Sequence, residues 1–363
     1  MQNVIRQFQE QILETIERHE TLNISGSGSK HWYGDAPSGT RLDTTPYSGI
    51  LDYQPEELVI TVRAGTQLAE VEAALAQKNQ YFAFEPPHFG PLATVGGMIG
   101  AGLAGPGRGQ YGGMRDFVLG VKLIDGLGNI LSFGGKVMKN VAGYDVSRLL
   151  PGSLGTLALL LDVSIKVLPL PAKTMTLKFQ MPQGAAITQM NTWASQPLPL
   201  SASAWLEDTL WIRLSGASAA VDTAMLTMGQ QFSTEIMEPS QASQFWQSIR
   251  EQQHAFFNAN ELPLWRFSVN PLSLPLPFEE PQAMEWYGGV RWVKADISPE
   301  QARGIALENG GHATYFRGPK SDLHTVFTPL SHNPLTAPLE IVQQQVRKAF
   351  DPHGVFQTGR MPY

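Results

Sequence analysis

The chain of 363 residues contains no cysteine. That absence excludes disulfides, thiolate nucleophiles, thiolate zinc sites and iron–sulfur clusters held by this chain, so any electrons it handles must travel on another carrier. Charge is also sparse, at 16% of residues with a net value of −6. No Lys/Arg block or RNP-like aromatic cluster is present, which argues against a nucleic-acid partner. The eight histidines are scattered, and the closest pair, His324 and His332, lie eight positions apart. No helical metal pair exists at that spacing, and no metal is expected. The opening MQNVIRQFQEQILETIERH lacks the apolar run of a signal peptide or a membrane span. Its apolar positions Val4, Ile5, Phe8, Ile12 and Ile16 instead recur at helical spacing and predict a surface helix.

Hydrophobic residues make up 42% of the chain, enough for two domains with substantial cores. The densest signal is Thr94 to Gly113, TVGGMIGAGLAGPGRGQYGG, with nine glycines in twenty residues. Glycine lets a backbone approach a ligand closely and permits positive φ, so the run suits a large, flat or phosphorylated ligand. Gly100, Gly102 and Gly105 satisfy the G-x-G-x-x-G spacing of a Rossmann dinucleotide site. The flanking Gly96, Gly97, Pro106, Gly107 and Gly109 leave no room for the strand before it and the helix after it. Asp125 lies where a ribose carboxylate would be sought, yet Asp125-Gly126-Leu127-Gly128-Asn129 reads as a hairpin turn between VLGVKLI and ILSF.

Along the chain, TLNIS predicts a short strand running into the small-residue loop Gly26 to Lys30. LVITVRAG is a strand, and residues 67–77 form an amphipathic helix through Leu68, Val71, Ala74 and Leu75. Residues 81–84 are strand-like, 144–150 are helical, and 157–168 form a long apolar strand. Pro169 and Pro171 mark a domain boundary. Beyond it, TMTLKFQ, a helix near 185–194, the hairpin SAWLEDTLWIRLS and a helix near 217–228 give a β-α-β order. The strands LWRFSV and WYGGVRWV and the segment HATYFR complete an antiparallel α+β unit. A closing helix at 339–350 stops at Asp351-Pro352. No internal repeat is visible.

The two small-residue elements, SGSGSK at Ser25 to Lys30 and ATVGGMIGAGLAGPGR at Ala93 to Arg108, resemble the phosphate-contacting elements of the vanillyl-alcohol oxidase and p-cresol methylhydroxylase flavoproteins. RDFVLGVKLIDG, VMKNVAGYDVSRLLPGSLGTLALLLDVSIKVLP and DPHGVFQTGRM follow in the family's order. VMKNVAGYDVSRL is most similar to the E-subunit family of bacterial glycolate oxidases. The resemblance covers most of the chain, most closely residues 20–171. It implies an α+β fold with three parts. A two-part FAD-binding domain spans 1–171, a smaller antiparallel-sheet domain spans 172–335, and residues 336–363 return to the first domain.

The cofactor implied is FAD. Its contacts would come from Ser25, Gly26, Ser27, Gly28, Ser29 and Lys30, from Pro86, and from Thr94, Gly96, Gly97, Gly100 and Gly102. Asp116, Gly120, Tyr144 and Gly155 would lie near the adenine, ribose or ring system. Many relatives carry a flavin-linked histidine where this chain has Gly28-Ser29, and His31 falls too late, so non-covalent FAD is expected. Lys136 and Lys139 read either as cations toward the flavin or as solvated loop charges.

Flavin-dependent oxidation of a 2-hydroxy acid needs a cation for the carboxylate and a base for the hydroxyl proton. Arg266 and Arg291, each on a strand between bulky apolar residues, are the candidate grips, or else structural ion-pair partners. Tyr144 or His324 could serve as base. The resemblance implies a subunit of a glycolate-oxidising complex, with a paralogous catalytic flavoprotein and an iron–sulfur subunit as partners. Such a chain would be cytoplasmic, meeting the membrane's inner face only through the complex. A self-sufficient 2-hydroxy-acid dehydrogenase and a non-catalytic flavodomain scaffold are the alternatives, since the clustered histidines of catalytic relatives are missing.

Overall fold

The computed structural model describes residues 1–135, 145–258, 261–318 and 335–361. Two compact units emerge. The first contains Met1–Leu103, Gly113–Pro169 and the described residues after 334; the second contains Ala104–Gly112 and the described residues from Leu170 to 318. The sequence reading had kept 104–112 with the first domain. In the structure this stretch is the short helix Arg108–Tyr111, and the indole N–H of Trp286 donates to the Gly105 carbonyl at 3.0 Å.

In the first unit, the opening helix Gln2–Arg18 buries Phe8 and Ile12 on the face its apolar spacing set. It ends at His19 in the left-handed conformation. Phe8 and Ile12 pack with Leu22, Leu42, Leu159 and Leu161, each such side chain contributing about 1.5–3 kcal/mol on burial. The main sheet is antiparallel throughout, in the order Ile50–Gln54, Val59–Arg63, Leu159–Lys166, Val118–Ile124, Ile130–Gly134. Leu159–Lys166 is central, and its near-continuous apolar run fits a strand buried on both faces. A separate parallel pair joins Leu22–Ser25 to Thr40–Asp43. Asp125 closes the predicted hairpin, its carboxylate accepting the N–H groups of Leu127 and Asn129 at 2.9 and 2.8 Å. It therefore has no part in a ribose site.

The second unit carries an eight-stranded antiparallel sheet. Its first half runs Glu235–Ile236, Lys173–Gln180, Thr209–Gly216, Leu200–Leu206, with helices Gln183–Ala194 and Ser218–Gln231 after the first and third strands in chain order. The other half runs Gln282–Glu285, Val290–Lys294, Leu264–Ser268, His312–Arg317. In chain order the halves read 4-1-3-2 and 2-3-1-4, the same four-strand topology reversed along the sheet. This is an internal repeat of fold that the sequence did not disclose. The second copy replaces the first crossover helix with the Pro-rich loop 269–281, so no common residue period survives.

Candidate functional site

The first unit contains a cleft enclosing about 820 Å³, part of it open to solvent. Three chain segments build it. One is the loop Ser25 to Lys30, entered from strand Leu22–Ser25. Its carbonyls are tied away from the cleft: Ser25 O accepts from Thr44, Gly26 O from Arg41 Nη2 at 3.0 Å, and Gly28 O from His31 N–H. Among the described residues, the N–H groups of Ser27, Gly28 and Ser29 donate to no protein acceptor. Gly28 sits at φ 82°, where an L side chain is strained. Successive N–H groups around a left-handed turn form a nest suited to an anion.

Thr94 to Ala101 supplies the second side. Thr94 caps the short helix Val95–Ala101, its Oγ1 accepting from Gly97 N–H at 3.2 Å. Val95 and Gly96 N–H donate to Thr66 and Ala64 carbonyls, so this helix start offers closeness rather than spare donors. A Cβ on Gly100 would meet Gly155 N at 3.9 Å and Leu154 Cα at 4.0 Å, ordinary van der Waals contact with the third segment. The third segment, Leu150 to Gly155, hydrogen-bonds back to this helix through Gly152 N–H to Ile99 O and Leu154 N–H to Gly100 O. With Ile24, Ala64 and Leu160 it gives the cleft an apolar wall.

Among the described residues no carboxylate lines the cleft, whereas Lys30, Arg360 and His31 do. Both cations are only 8% exposed. Lys30 Nζ donates to His88 O at 3.0 Å. Partial burial pushes the His31 imidazole below its ordinary pKa, and the Arg360 and Arg41 charges lower it further. A phosphorylated ligand with an apolar planar end matches this combination of backbone donors, buried positive charge and apolar wall.

Of the residues expected to hold the cofactor, the cleft gathers Ser25, Gly26, Ser27, Gly28, Ser29, Lys30, Thr94, Gly96, Gly97, Gly100 and Gly155. Four others lie outside it. Gly102 is the left-handed C-cap of the helix, pressed against Gly152. Gly120 is a strand residue paired with Gly134, and a side chain there would strike the Gly135 carbonyl. Asp116 caps its own helix by accepting from Gly113 N–H at 2.8 Å, and Pro86 is buried outside the lining. Tyr144, Lys136, Lys139 and His324 fall outside the described residues. Tyr33, Leu150, Ser153, Leu154 and Arg360 were missed by the sequence reading, and only PGSLG, with its turn-forming Pro-Gly, signalled any of them.

The two arginines of the second unit differ sharply. Arg291 is fully buried. Its guanidinium donates to the carbonyls of Gly288, Ser273 and Leu274, and burial pushes its pKa down to about 10. It pins the Pro-rich loop to the sheet. Its donors are committed there, which corrects the expectation that it grips a substrate carboxylate or an ion-pair partner. Arg266 instead stacks over Trp286 and Trp292 at 5.2 and 6.0 Å. Arg108 covers Trp286 at 4.4 Å. His312 feels both arginines, and its pKa is lowered by burial first and then by their charges.

Fold and cleft together define a nucleotide-binding flavoprotein with an antiparallel two-unit architecture. A family model described as FAD binding domain matches residues 7–134. Over 357 residues the chain is 44% identical to the glycolate oxidase subunit GlcE of Escherichia coli (strain K12), covering 97% of this chain and 95% of that one. The glycolate oxidase subunit GlcD of Bacillus subtilis (strain 168) is 32% identical over 48% of this chain and 38% of its own. A D-lactate dehydrogenase of Archaeoglobus fulgidus is 37% identical over 33% of this chain and 26% of its own. Among solved structures, an alkyldihydroxyacetonephosphate synthase shares the fold with a TM-score of 0.64 at 12% identity, covering 96% of this chain and 74% of that one. The chain belongs to the glycolate oxidase E-subunit family of FAD-binding oxidoreductases. Its cofactor is FAD. Among the described residues no helix is long and apolar enough to cross a membrane.

Proposed function

We propose that this chain is the FAD-binding subunit of a complex that oxidises glycolate to glyoxylate and passes the electrons to partner subunits. The observation that carries the reading is the 44% identity to a glycolate oxidase subunit along nearly the whole of both chains, both units included. The partial similarity to GlcD and to D-lactate dehydrogenases supports 2-hydroxy acids as the substrate class. The nest at Ser27 to Ser29 and the cation Lys30 would hold the FAD diphosphate, and the apolar wall would take the adenine. Bound FAD supplies a two-electron acceptor for the hydride that leaves the substrate α-carbon.

The chain's own residues supply the rest. Arg266, a cation held against two indoles, is the remaining grip for a carboxylate. The absence of cysteine means that any iron–sulfur relay sits on another subunit, and a paralogous flavoprotein beside it fits the two related subunit families. No histidine stands at Gly28-Ser29, so the FAD is held non-covalently.

Anaerobic titration of the purified chain, alone and co-expressed with candidate partners, tests the reading. The expected result is a yellow protein whose 450 nm band glycolate bleaches in the complex. Bleaching of the lone chain, with turnover on a diffusible acceptor, would establish a self-sufficient dehydrogenase instead. A colourless chain that gains no thermal stability from added FAD would overturn the proposal.

A further inference from the structure

We infer that Arg360, in the C-terminal tail, belongs to the diphosphate site: it supplies buried positive charge to the cleft and orients the Ser25–Lys30 loop. The inference rests on the proposal that this cleft takes the FAD diphosphate. Arg360 is 8% exposed and lines the cleft. Nε donates to the Tyr33 carbonyl at 3.2 Å, and Nη2 donates to the carbonyls of Lys30 at 2.8 Å and Tyr33 at 3.1 Å. Nη1 donates to none of the described residues and is not sealed in the interior. One edge of the guanidinium is thus used on the loop, while Nη1 keeps a free donor on a side chain that lines the cleft.

The tail is fixed well enough to aim that group. The buried Asp351 carboxylate accepts from Val355 and Phe356 N–H, each at 2.8 Å. Both residues lie in the core around Phe8 and Ile12. Val355 O then accepts from Leu22 N–H, Thr358 O from Ser38 N–H, and Arg360 O from Asp35 N–H. Arg41 Nη2 holds Gly26 O at the start of the same loop, at 3.0 Å. With carbonyls drawn back by two arginines, the N–H groups between them are left for the ligand. A buried guanidinium with no lining carboxylate among the described residues matches the charge of a phosphate. The FAD site would then extend across the chain from Ser25 to Arg360.

The test is equilibrium binding of FAD, ADP and adenosine to the full-length FAD-stripped protein, with Arg360→Lys and Arg360→Gln. Lysine keeps the charge and glutamine keeps donors for the loop. The expected order for FAD and ADP is wild type, then Lys within a few-fold, then Gln weaker by about tenfold or more, a charge-assisted hydrogen bond being lost. Adenosine, which lacks phosphate, should bind all three alike. Gln binding ADP as well as wild type, or adenosine falling as steeply as ADP, would overturn the inference and leave Arg360 a clamp only. Gly26→Val serves as control. If that variant binds ADP normally, the cleft itself is misassigned, a failure distinct from that of Arg360.

Discussion

Gly26 and Thr94, one from each of the two small-residue elements, press directly against each other: a Cβ on Gly26 would collide with the Thr94 hydroxyl. Thr94 cannot swing aside, because it is 3% exposed and its Oγ1 holds Gly97 N–H. The meeting of residues 68 positions apart is what turns a small-residue loop and a glycine run into one cleft. Gly26→Val should force the elements apart at a cost of about 1–3 kcal/mol. FAD affinity should fall at least about tenfold. Fluorescence titration of FAD checks this, and a variant with wild-type affinity would refute the role given to the contact.

Gly100 should behave in the opposite way toward stability. It lies inside the helix Val95–Ala101 and lines the cleft, and a Cβ there would meet Gly155 N and Leu154 Cα only at ordinary van der Waals distance. Gly100→Ala should stabilise the FAD-free protein by about 0.5–1 kcal/mol through helix propensity. The same methyl would occupy ligand space, so FAD binding should weaken. A higher melting temperature without FAD together with a smaller FAD-induced rise is the expected signature. Equal rises in both forms would remove Gly100 from the site.

The cleft's two glycine-rich edges were legible because small residues cluster in both stretches: a Cβ on Gly26 would strike Thr94, one on Gly96 would crowd Ala64, and Gly28 lies at positive φ. Gly102, Gly120 and Asp116 lie outside the cleft lining, and sequence could not set them apart because a helix C-cap, a tight strand pair and a capping carboxylate leave the same residues as a ligand contact does. Arg360 was illegible for a different reason: its partners lie about 330 positions upstream, and nothing local in QTGRM announces them. The repeated topology of the second unit was hidden because one copy uses helix Gln183–Ala194 where the other uses a proline-rich loop pinned by Arg291.

His31 makes the FAD-free protein sensitive to acid. Its folded pKa lies below the ordinary 6.5, by burial and by the charges of Arg360 and Arg41. The unfolded chain therefore binds the proton more readily, so this contribution to stability is intact above about pH 6.5 and lost as pH falls through the folded value. Phosphate charge beside the imidazole would favour the protonated form and reverse the sign for FAD affinity. Calorimetry in buffers of different ionisation enthalpy near pH 6 should show proton uptake on FAD binding. His254 and His312 are also lowered, so the comparison is wild type against His31→Asn. Uptake unchanged in the variant would exclude His31.

Arg266 and Arg291 separate a substrate grip from a structural clamp. Arg291 sits in a fully buried pocket with its guanidinium on three carbonyls, and Arg291→Met would leave those acceptors unpaired. Leaving a buried acceptor unsatisfied costs about 1–3 kcal/mol each. The second unit should melt at lower temperature or fail to fold, and any surviving activity should keep the wild-type KM for glycolate. Arg266 makes ring contacts and a charge interaction with His312 but no side-chain hydrogen bond among the described residues, so Arg266→Met, which can still lie against Trp286 and Trp292, should alter stability by no more than about 1 kcal/mol. If Arg266 holds the carboxylate, the assembled complex should show KM for glycolate raised by about tenfold or more, a charge-assisted contact being removed. An unchanged KM in Arg266→Met, with folding and FAD content intact, would place carboxylate recognition elsewhere.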